Sequence, residues 1–143
     1  MKRLLLILFT LGITTLSTNA QCNSTLQLQS SKTQFLNASN ELKGSKDERV
    51  VVDITKTSIT ITPNGNDGEA LAGPIKEITC DWKVPFKEGK MVIKSDLSDP
   101  SGDVKQATIT IEGKDGKVTL LAEAKERPDE KIKLDVVSFE RKD

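Results

Sequence analysis

Asp115-Gly116 stands between two runs in which apolar residues recur at every second position. Folding the chain at that dipeptide lays Ile111 against Leu120, Ile109 against Ala122 and Ala107 against Ala124. Asp-Gly suits a two-residue hairpin because both central positions of a type I′ turn need positive φ. All three pairs fall on one face, the mark of antiparallel strands that bury one side and wet the other. A helix turns 100° per residue and could not hold this set together.

The same test succeeds elsewhere along the chain. A tight turn at Lys56-Thr57 pairs Ile54 with Ile59 and Val52 with Ile61. A turn at Glu88-Gly89 would set Phe86 opposite Met91, Val84 opposite Ile93, Trp82 opposite Ser95 and Cys80 opposite Leu97. Leu26 and Leu28 mark a first strand, and the polar stretch from Asn37 to Asp47 reads as a longer, mobile connection. Gly73-Pro74 separates the odd-numbered Leu71 and Ile75 from the even-numbered Ile78 and Cys80, which predicts a kink in the fourth strand. Ile132 and Leu134 open the last strand, where the apolar phase slips between Val136 and Val137 before Phe139, as a β-bulge would require. Turn residues at 63–68, 96–103 and 126–130 separate the remaining runs. The chain therefore reads as all-β, an antiparallel up-and-down meander of about eight strands that closes into a barrel. A two-sheet β-sandwich is the alternative, because hairpin register does not reveal whether the first and last strands meet.

The first 20 residues read differently. Lys2 and Arg3 precede an apolar run from Leu4 to Ile13, and Ser17, Thr18, Asn19 and Ala20 then form a small, polar cleavage region. That order predicts a cleavable signal peptide over 1–20, and the apolar run is too short to span a bilayer. The bulky Gln21 before Cys22 disagrees with a lipid-attachment box, which wants a small residue there. The mature part, 21–143, has the length of a single domain and would be exported, to the periplasm or the extracellular space. It carries 19 basic against 21 acidic residues, scattered among apolar ones, so neither nucleic acid nor an anionic membrane surface is indicated as a partner. Export also permits Cys22 and Cys80 to pair as a disulfide, the alternative being two independent thiols.

The chain contains no histidine and no tyrosine. A Ser-His triad, a His-bound metal, a Cys-His pair and a Tyr nucleophile are thereby excluded within this chain. Among the inward positions only Ser95 is plainly polar, so the interior offers no catalytic group, metal ligand or cofactor anchor. Carboxylate chemistry would have to come from Glu77, Asp81, Glu112 and Glu123, all of which alternate outward. Asp96, Asp99 and Asp103 supply oxygen ligands of the type calcium takes, but not at EF-hand spacing, and Asp99-Pro100-Ser101-Gly102 is a good turn without a metal.

Trp82 is the sole tryptophan, expected in mid-face. It reads either as a core anchor whose indole N–H meets Ser95 or backbone, or as a stacking residue in a cavity for which Ala107, Ala122 and Ala124 leave room. On the second reading Trp82, Phe86, Met91, Ile93 and Ser95 are the ligand-lining residues. The meander, its alternating core and the Asp115-Gly116 hairpin resemble the lipocalin-like (calycin) barrels, although the Gly-x-Trp signature of true lipocalins is absent. Cys80 to Gly89 and Ile109 to Gly116 also resemble uncharacterised small exported proteins of Gram-negative bacteria. The lipocalin resemblance implies a non-enzymatic protein that binds a small apolar ligand inside the barrel. A structural or protein- and glycan-binding module of the cell envelope, and a carboxylate-based hydrolase, are the competing functions.

Overall fold

The computed structural model describes residues 22–142; the expected signal peptide lies outside them. Eight strands follow in chain order: β1 (Leu26–Leu36), β2 (Leu42–Ile54), β3 (Ser58–Pro63), β4 (Leu71–Val84), β5 (Glu88–Ser98), β6 (Val104–Lys114), β7 (Lys117–Ala124) and β8 (Arg127–Arg141). Each pairs antiparallel with the next, and β1 pairs with β8, so the sheet closes on itself as an up-and-down barrel. Closure decides between the two architectures left open by register alone. Leu28 meets Phe139 and Val52 on its two sides, and the same ladder continues around the wall.

Side-chain alternation explains the core. Leu26, Leu28, Val52, Ile54, Ile59, Trp82, Met91, Ile93, Ile109, Ile111 and Leu120 are each at most 1% exposed and pack in one cluster. Each such apolar side chain contributes roughly 1.5–3 kcal/mol relative to full exposure. Two expected hairpins hold residue for residue. Ile54 lies opposite Ile59 and Val52 opposite Ile61; Ile111, Ile109 and Ala107 lie opposite Leu120, Ala122 and Ala124, with Asp115 at φ 53° and Gly116 at φ 76°. The phase slip near Val137 is also real. Gln29 pairs with Ser138 but Ser30 with Val136, leaving Val137 as an extra residue that points to solvent.

Four expectations are corrected. The β4–β5 turn lies at 85–87, not at Glu88-Gly89, so Cys80 faces Met91, Ile78 faces Ile93, Trp82 faces Gly89 and Ser95 faces Ile75. Val84, expected inside, consequently ends the strand exposed. The kink in β4 falls at Lys76 rather than at Gly73-Pro74: Ile75 pairs with Ser95 but Glu77 with Lys94, and both Lys76 and Glu77 point outward. Finally, the polar stretch 37–47 is no loose connection. Strand β2 begins at Leu42, and only 37–41 turn the chain, through Asn37, whose side-chain oxygen accepts from the amides of Ser39 and Glu41.

Cys22 and Cys80 form a disulfide with Cα atoms 6.0 Å apart, a bond suited to an oxidising compartment. It ties the segment ahead of β1 to the middle of β4. Among the described residues no helix is long and apolar enough to cross a membrane.

Candidate functional site

An even meander sorts its connections to two ends. The β2–β3, β4–β5 and β6–β7 turns lie at one end with the start of β1 and the end of β8; the other four connections lie at the opposite end. The first end is closed by aromatic packing. Phe139 packs against Trp82 at 5.7 Å between ring centroids and edge-on against Phe86 at 4.8 Å. Phe86 holds φ 63° in a turn closed by Lys87 N–H donating to the Val84 carbonyl, with Pro85 ahead of it. Positive φ is costly for a bulky side chain, and its ring contact with Phe139 helps keep it there.

Trp82, Met91, Ile93 and Ser95 are buried in the wall and floor of the barrel, while Phe86 is half-buried in the turn. The Trp82 indole nitrogen and the Ser95 hydroxyl find no partner among the described residues. They do not bond to each other, in keeping with the corrected register. Trp82→Phe is therefore expected to lower stability by less than about 2 kcal/mol, because relief of an unpaired buried donor, about 1–3 kcal/mol, offsets lost ring contacts. Urea denaturation would reveal a larger loss if the indole N–H were in fact bonded.

Space exists at the other end. A cavity of about 150 Å³ lies between Thr33, Phe35, Glu48, Val50, Ile61, Pro63, Glu69, Leu71, Leu97, Leu120, Ala122, Ile132 and Leu134. Its neighbour, about 330 Å³, shares Leu71, Leu97, Ala122 and Ile132 and adds Ala107, Ala124 and a charged rim of Asp99, Asp103, Lys105, Glu123, Arg127 and Glu130. None of Trp82, Phe86, Met91, Ile93 and Ser95 lines either one; Ser95 instead borders an outer groove over β4–β7. The three alanines expected to leave room do line the larger cavity.

The rim charges mostly satisfy one another. Asp103 meets Lys105, and Arg127 donates to Glu130 at 2.9 Å, an attraction that holds the Glu130 carboxyl below its ordinary value. Asp99 accepts at one oxygen from the amides of Ser101 and Asp103 and from the Ser101 hydroxyl. The Ser101 hydroxyl foremost lowers its pKa. Asp96 is paired with Lys76, so the three aspartates offered for calcium each serve the loop or a lysine. Glu48 is different, with a side chain only 9% exposed. Burial alone would raise its pKa, yet the nearby Thr33 hydroxyl, Lys46 and Asn64 together hold it below the ordinary value. Thr33 acts there by proximity, since its Oγ1 has no partner in hydrogen-bond geometry among the described residues.

The outward carboxylates stand apart from one another. Glu77 pairs with Lys94 and Glu123 with Lys131, while Lys90 lies between Asp81 and Glu112 across the sheet. No two of the four are direct cross-strand neighbours. No protein-family model, curated protein or solved structure matches the chain.

Proposed function

We propose that this chain is an exported, non-enzymatic lipocalin-like barrel that takes a small apolar molecule into its open end. The observation that carries the reading is the pair of adjoining cavities, whose shared wall is Leu71, Leu97, Ala122 and Ile132. Apolar walls with a few polar groups at the rim are the usual make-up of a small-molecule site. An apolar cavity of about 150 Å³ in a protein interior is large enough to bind benzene. The disulfide and the signal-like N-terminal sequence support a periplasmic or extracellular setting for that binding.

Ala122 tests the reading because it lines both cavities. Ligand-observed NMR should detect toluene binding to the unaltered protein. Ala122→Phe should weaken it at least about tenfold, the equivalent of 1.4 kcal/mol, by occupying the space with its own ring. Absence of toluene binding to the unaltered protein would overturn the proposal, and equal binding by the variant would move the site away from the open end.

A further inference from the structure

We infer that the smaller cavity is built for a primary ammonium group carried on a benzene-sized apolar body. This rests on the apolar-ligand reading and specifies its chemistry. Every charged residue lining that cavity is a carboxylate: Glu48, from β2, and Glu69, from the turn before β4. Their polar companion is Thr33, which is 4% exposed and whose Oγ1 has no hydrogen-bond partner among the described residues.

The occupied positions around Glu48 lie on one side of the carboxylate. Its Oε2 takes the Lys46 ammonium at 3.1 Å and the Asn64 amide at 3.3 Å. Lys46 is more than half exposed and does not line the cavity, and it offsets one of the two negative charges. Glu69 makes no ion pair with any described residue. A carboxylate with no ion pair, on the exposed turn, and a buried hydroxyl beside Glu48 that has no hydrogen-bond partner among the described residues therefore overlook an apolar chamber.

Three ligand classes fare differently there. A carboxylate ligand would meet two carboxylates and no lining cation. A neutral hydrocarbon would fill the walls and leave the Thr33 oxygen unsatisfied, at a cost set by its burial. An ammonium brings three donors and no acceptor, and the polar lining consists of oxygens that accept. Its charge-assisted bonds are also shorter and stronger than neutral ones.

Four probes with the same ring separate the possibilities at neutral pH: toluene, benzyl alcohol, benzylamine and benzoate, titrated calorimetrically into the whole protein. Benzylamine should bind at least about tenfold more tightly than toluene, as charge-assisted bonds imply, with benzoate weakest. Glu48→Gln should erase that advantage and leave toluene affinity unchanged. Glu69→Gln, on the exposed turn, should reduce it independently should the buried substitution unfold the protein. Equal affinities for toluene, benzyl alcohol and benzylamine, or an advantage that survives both substitutions, would overturn the ammonium assignment while the apolar reading stands. Failure of all four probes to bind would overturn both.

Discussion

Gly89→Ala should destabilise the barrel by roughly 3–5 kcal/mol, at the severe end of what single substitutions do. A Cβ built at Gly89 would lie 2.3 Å from the Asp81 carbonyl oxygen and 2.5 Å from the Trp82 Cα. Both are backbone atoms of the neighbouring strand and cannot rotate aside. Gly89 also holds φ 138°, which L side chains rarely adopt, so clash and strain act together. Its cross-strand neighbour Gly113 is just as confined, with a Cβ there falling 2.3 Å from the Lys87 carbonyl oxygen. The two bare positions let the 85–87 turn settle over β5 and β6 and bring Phe86 onto Phe139. Since whole domains are stable by about 5–15 kcal/mol, the substitution threatens folding itself. Gly44→Ala is the control. No atom lies within 4 Å of a Cβ there and φ is not positive, so stability should hold or rise by about 0.4–1 kcal/mol. Urea midpoints followed by Trp82 fluorescence compare the two, and similar losses would contradict the close approach.

Gly89 also explains why the β4–β5 hairpin lies away from its expected turn. A shift from pairing Cys80 with Leu97 to pairing it with Met91 moves the partner by six residues and leaves Ile78, Cys80, Trp82, Met91, Ile93, Ser95 and Leu97 on their original face, with Val84, past the irregularity after Trp82, the one that ends exposed. Alternation fixes faces and is blind to such a slide. The expected turn rested on Glu88-Gly89, and the glycine serves close packing instead. Hairpins at Lys56-Thr57 and Asp115-Gly116 had no rival signal and were legible to the residue.

Strand β2 was half invisible for a different reason. Its pairing with β3 begins only at Val50, opposite Pro63, and 42–49 project beyond that short strand with little core to face. Without a buried side the residues lose their alternation. The cavities were obscured in the same way. Centring on the apolar face selects Met91 and Ile93, which are fully buried and leave no room, whereas the cavities form near strand ends where Ala107, Ala122 and Ala124 shorten the wall. Thr33, Glu48 and Glu69 come from β1, β2 and a turn that sequence spacing could not bring together.

Removing the Cys22–Cys80 bond should cost about 4 kcal/mol, the loop-closure value for the intervening stretch in the chain-entropy model. The cross-link closes a separation of 58 residues, which holds all of β1, β2 and β3. That span contains the weakest part of the wall. Strand β3 meets β4 only from Ser58–Pro74 to Ile61–Leu71, whereas β5 and β6 pair without interruption from Gly89–Gly113 to Ser98–Val104. Tethering the chain ahead of β1 to the middle of β4 thus limits how far the two sides of the short ladder separate. A Cys22→Ser, Cys80→Ser double variant and the reduced unaltered protein should show the same loss in urea midpoint, since both remove only the tether. Hydrogen exchange should then rise first at the amides of 59–61 and 71–73, with β5 and β6 protected until global unfolding. A loss below about 1 kcal/mol would show that the denatured chain gains little freedom when the bond is cut. Uniform exchange across the barrel would instead mean that the cross-link stabilises the fold as a whole, without singling out the β3–β4 seam.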